Sequence, residues 1–64
     1  MKLYELKKGD HFVLEDDPQK TPFELDKIDG LYGRCYLNER VVVHHSVDAD
    51  VIKEVIMGGG DDNT

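Results

Sequence analysis

The stretch Phe23-Glu24-Leu25-Asp26-Lys27-Ile28-Asp29-Gly30-Leu31-Tyr32-Gly33-Arg34-Cys35-Tyr36-Leu37 decides the fold. Phe23 and Leu25 alternate with the acids Glu24 and Asp26, a period of two that puts the apolar pair on one face of a strand. Asp29-Gly30 between two such runs reads as a type I′ hairpin turn, in which both central residues take positive φ. The return strand is then Leu31 to Leu37, and Gly33 in mid-strand marks a bend or bulge.

Period-two runs continue on both sides. Upstream, Leu3, Tyr4 and Leu6 form a first apolar group, and Lys7-Lys8-Gly9-Asp10 a turn. His11 to Glu15 is a strand with Phe12 and Leu14 on one face. Asp16-Asp17-Pro18-Gln19-Lys20-Thr21-Pro22 breaks the pattern, because two prolines cannot sit in a central strand; a mobile loop of about seven residues is expected there. Downstream, Asn38-Glu39 forms a turn and Arg40 to His45 a strand. Ser46 to Asp50 is a polar connection with room for one helical or 3₁₀ turn. Val51 to Ile56 closes the fold, and Met57 to Thr64 is a flexible Gly/Asp tail.

Five or six short strands with tight turns must curl, since a flat sheet would leave one apolar face wet. The fold class is therefore mostly β: a small five- to six-stranded SH3-like barrel or a strongly bent antiparallel sheet spanning residues 1–56, followed by the tail 57–64. An OB-like barrel, which usually needs a longer chain, comes second. The register has two readings. With two-residue turns at Asp29-Gly30 and Asn38-Glu39, Phe23, Leu25, Tyr32, Tyr36, Val41 and Val43 share a face. With an odd number of residues in the second turn, Leu31, Cys35, Leu37, Val41 and Val43 align, and Tyr32, Arg34, Tyr36, Arg40, Val42 and His44 form the other face. A one-residue slip exchanges the faces, and a bulge near Gly33 would reconcile the two.

Bulk composition narrows the function classes. A chain of 64 residues is one domain that buries only about 60% of its unfolded surface. Cys35 is the only cysteine, so no intrachain disulfide staples it, and a lone thiol suits a reducing compartment. No apolar run resembles a signal peptide or a membrane span, so a cytoplasmic location is expected. Fourteen acidic residues against eight basic ones give a net charge of −6, which opposes non-specific binding to nucleic acid or anionic membrane.

The segments Leu3-Tyr4-Glu5-Leu6-Lys7-Lys8-Gly9-Asp10-His11-Phe12, Ile28-Asp29-Gly30-Leu31-Tyr32-Gly33-Arg34-Cys35-Tyr36 and Val41-Val42-Val43-His44 resemble a group of short bacteriophage-encoded proteins. These share a Lys-x-Gly-Asp-x-Phe start and an Ile-Asp-Gly-Leu-Tyr hairpin with a following cysteine. The resemblance covers most of residues 1–56 and implies no activity and no catalytic residues. It implies a context, in which small accessory proteins act on a host protein by binding it.

The chemistry-bearing residues read as a binding set. His44 and His45 are adjacent in a strand and point to opposite faces, so they cannot easily share a metal ion, and no second ligand pair has metal spacing. Cys35 in mid-strand reads as a small buried hydrophobe rather than a nucleophile, which would need an exposed electropositive pocket. Gly58-Gly59-Gly60 precedes no helix and cannot cradle a phosphate. No catalytic residue, metal or cofactor is assigned. Tyr32, Arg34, Tyr36 and Arg40, with His44, are the expected partner-binding face, because Tyr and Arg are favoured interface anchors. Glu15, Asp16 and Asp17 form an acidic rim that steers a basic partner. The expected function is a non-enzymatic accessory protein that binds and modulates a host or phage protein. The alternatives are a single-stranded nucleic-acid-binding barrel using the same face, and a self-associating assembly subunit that pairs through the Arg40 to His45 strand.

Overall fold

The computed structural model describes residues 1–55. A 3₁₀ turn, Leu3–Glu5, precedes five strands: β1 (His11–Leu14), β2 (Pro22–Asp29), β3 (Tyr32–Leu37), β4 (Val41–Ser46) and β5 (Val51–Glu54). They form one antiparallel sheet in the order β4-β3-β2-β1-β5. Pro22 opens β2 at the first position, the place where a missing N–H costs the ladder least. The expected last strand ran to Ile56; that residue and the tail 57–64 lie outside the described residues.

The connection from β4 to β5 forces the sheet to bend. Four interstrand steps of ~4.8 Å would hold the edges of a flat sheet about 19 Å apart. Only residues 47–50 join β4 to β5, and they do not run extended, because the Ala49 N–H donates to the Ser46 carbonyl at 3.0 Å. β4 and β5 share no ladder, so the curled sheet stays open: it is the strongly bent antiparallel form rather than a closed barrel. The N-terminal segment runs along this connection. Leu3 N–H donates to Ala49 O (3.0 Å), Tyr4 N–H to Val47 O (3.1 Å) and Val51 N–H to Met1 O (2.8 Å). Lys2 Nζ meets Asp50 Oδ1 at 2.8 Å. The 3₁₀ turn was not expected here; the period-two reading of Leu3, Tyr4 and Leu6 was too short to separate a strand from a turn.

The central hairpin settles the register. Phe23 pairs with Leu37 and Leu25 with Cys35, but Lys27 pairs with Arg34, so Asp26 is the extra residue of a β-bulge. The bulge lies on β2, opposite the strand that carries Gly33. Without it the Leu25–Cys35 register would end in a three-residue tip; with it Asp29 pairs with Tyr32. The tip is therefore Gly30-Leu31, with positive φ at Gly30 alone (63°), which corrects the expected type I′ turn at Asp29-Gly30. Glycine with positive φ at the first loop position is the pattern of a II′ hairpin. The second turn has three residues, Asn38 to Arg40, between the pair Leu37 and Val41. Asn38 and Glu39 are both left-handed, at φ 55° and 63°. The odd loop puts Gly33, Cys35 and Leu37 on one face with Val41, Val43 and His45, and the bulge adds Phe23 and Leu25 to it. Arg40 is thereby in the turn and not on β4, as the strand reading had it.

That face is the core. Leu3, Leu6, Phe12, Phe23, Leu25, Cys35 and Val51 are buried together, with Leu14, Leu37, Val43 and Ala49 packed against them. Phe12 and Phe23 stack with ring centroids 5.6 Å apart. Leu3 drops onto the sheet where Gly33 has no side chain: a Cβ there would stand 2.6 Å from Leu3 Cδ2.

Candidate partner-binding surface

Alternation along β3 sends Tyr32, Arg34 and Tyr36 to the face away from the core. On β4 the cross-strand partners are Ser46, His44 and Val42 respectively. Tyr32 is 56% exposed and Val42 39%, while Arg34 and Tyr36 are half-buried and His44 is exposed. The structure thus brings Tyr32, Arg34, Tyr36 and His44 onto one surface. Arg34 Nε lies 3.5 Å from Asp26 Oδ2 but without hydrogen-bond geometry. The contact is an ion pair held by the bulge. Arg40 is exposed in the β3–β4 turn, beside this surface rather than on it.

The acidic rim is elsewhere. Asp16 and Asp17 line a cleft of about 410 Å³ with Asp48, Asp50, Leu14 and His45. His45 belongs to the core face, so the cleft opens on the side of β4 opposite to His44. The loop that holds these acids carries hydrogen bonds of its own. Asp17 accepts backbone N–H groups from Gln19 (2.9 Å) and Thr21 (3.0 Å), the behaviour of an Asx turn. These bonds, Thr21 first, hold its carboxyl below the usual carboxylate range. Lys20 Nζ donates to the Glu15 carbonyl at 2.9 Å.

The two adjacent histidines divide as strand geometry requires. The His45 ring meets Phe23 edge-on at 4.7 Å and Phe12 at 6.4 Å. Its Nε2 is buried with no hydrogen-bond partner, and burial, followed by the neighbouring His44, pushes its pKa below the usual imidazole value. Cys35 is fully buried, and burial pushes the thiol up to about 11. At neutral pH that sulfur stays protonated and out of reach of a substrate. Among the described residues no group of three His, Cys, Asp or Glu side chains is placed to hold a metal ion, and no helix is long and apolar enough to cross a membrane.

A second depression lies next to Tyr36. It has a volume of about 190 Å³ and is lined by His11, Pro22, Phe23, Glu24, Tyr36 and Glu39, with Asn38. His11 Nε2 stands 3.6 Å from Glu24 Oε1. Apart from Tyr36, none of these residues was assigned to a binding surface from the sequence. They come from three separated segments that only the folded sheet brings together, and Glu24 read as one of the acids around the Asp16 to Pro22 loop. Comparison with family models, with curated proteins and with solved structures finds no match.

Proposed function

We propose that this chain is a non-enzymatic accessory protein of the bacteriophage type. In this reading it works in the cytoplasm of a bacterial host, where it binds and modulates a host or phage protein through the outward face of β3 and β4. The observation that supports the reading is the single surface shared by Tyr32, Arg34, Tyr36, Val42 and His44. Aromatic side chains and an arginine there are large and face away from the core, the properties of interface anchors. The Tyr32→Ala/Tyr36→Ala double variant tests it. A protein captured from host lysate by the unmodified chain is lost with the variant, while the variant still melts cooperatively. Unchanged capture by the variant sinks the reading, and capture of nuclease-sensitive material alone replaces it with nucleic-acid binding.

A second reading, the assembly subunit, has one observation in its favour. Sheet edges that must stay single usually carry charge, are short or are covered. β5 carries Lys53 and Glu54, whereas β4 is Val-Val-Val-His-His-Ser with no Lys, Arg, Asp or Glu. β4 is thus the edge open to an added strand. Sedimentation equilibrium decides: concentration-dependent mass supports self-association, and a monomer at the highest soluble concentration rules it out.

A further inference from the structure

We infer that the groove beside Tyr36 takes one large apolar side chain of a partner peptide segment that carries lysine or arginine next to it. The inference rests on the proposed protein-binding reading and names the chemistry of the partner. Size comes first. Small-molecule sites run ~300–1,000 Å³, and this groove, at about 190 Å³, has room for a side chain rather than a cofactor. Its apolar lining comes from Pro22, Phe23 and Tyr36.

Charge then selects the occupant. Both ionised groups of fixed sign around the groove are carboxylates, Glu24 and Glu39. Glu39 makes no ion pair among the described residues, and the ion-pair contact of Glu24 among them is His11 Nε2 at 3.6 Å. The net charge of −6 adds a long-range field of the same sign. An acidic or neutral segment would leave both carboxylates without a counter-charge, while a basic one supplies it.

The test uses the whole chain and two synthetic peptides, acetyl-Lys-Lys-Leu-Phe-Lys-Lys-amide and its twin with glutamate in place of each lysine. Binding is read from amide chemical shifts by NMR. The basic peptide is expected to move the signals of Phe23, Glu24, Tyr36 and Asn38, and the twin to move none. Because the rim carboxylates face solvent, affinity for the basic peptide should fall at least ~threefold when salt rises from about 50 to about 300 mM. It should fall by about fivefold in the Glu24→Gln/Glu39→Gln variant, the combined effect expected of two exposed charge contacts. Equal binding of both peptides, shifts confined to other surfaces, or no shift at all overturns the inference. The salt series on the unmodified chain keeps the test valid if the variant folds poorly. Lysate capture that survives Glu24→Gln/Glu39→Gln but is lost with Tyr32→Ala/Tyr36→Ala would overturn the groove while leaving the face reading intact.

Discussion

Gly33 and His45 are the residues at which side-chain chemistry is most constrained. A methyl group on Gly33 would stand 2.6 Å from Leu3 Cδ2 and 3.3 Å from its Cγ. Leu3 is fully buried, so its side chain must shift within the packed core, and Gly33→Ala should destabilise the domain by ~1–3 kcal/mol, the usual cost of overpacking. A urea melt measures this, and an unchanged midpoint would mean that Leu3 is not packed on the sheet. His45 makes stability depend on pH. Its pKa is lowered on folding, from a usual value of 6.5, by burial and then by His44, so the unfolded chain binds more protons than the folded one. The contribution is present in full above about 6.5 and is lost as pH falls through that value toward the lower folded pKa. The drop in melting temperature on acidification should therefore be smaller in His45→Phe than in the unmodified chain, as thermal melts from about pH 7 to about pH 5 would show. An identical slope would place His45 in water. That Tyr32 and Cys35 face opposite sides was legible at this scale, because alternation in a strand separates them whatever the rest of the fold does; which side turns inward was decided by the register. His45 was legible only as facing away from His44; that its inward side meets two phenylalanines was not.

At the scale of elements, the three-residue β3–β4 turn carries the clearest conflict between stability and use. Asn38 and Glu39 are both left-handed, and each non-glycine residue there costs roughly 1–2 kcal/mol. Glu39→Gly should accordingly raise stability by about 1 kcal/mol in denaturant melts, less the added freedom of glycine in the unfolded chain. It should also weaken binding of the basic peptide. A destabilised variant would mean that the turn is held by the glutamate side chain. The hairpins show why strand existence was easier to read than strand register. Alternation found β1 to β4 within one residue at either end. It could not see that Asp26 would be pushed out as a bulge, because a bulge has no local signature beyond the residues on either side. The displaced turn tip at Gly30-Leu31 follows directly from that one extra residue.

For the whole molecule, charge and edges matter most. A net charge of −6 on 64 residues repels itself in the compact state more than in the unfolded chain. Raising salt from about 50 to about 500 mM should screen that repulsion and raise the melting temperature, while weakening any basic partner's binding. A melting temperature that falls with salt would show that ion pairs such as Lys2–Asp50 outweigh the repulsion. The acidic loop and the Tyr/Arg face, expected as one site, belong to opposite sides of β4. Sequence alone determined the strand content, the two hairpins and the placement of Cys35 on the face opposite Tyr32 and Tyr36, since each follows from a period of two and from turn residues a few positions apart; which of those faces is buried it left open. Tertiary structure decided the rest: the bulge, the sheet bent around a four-residue connection, the N-terminal turn lying on Gly33, and the groove between Pro22, Tyr36 and Glu39. Those features depend on contacts between residues far apart in the chain. The energy that selects them exists only once the sheet has curled around its core.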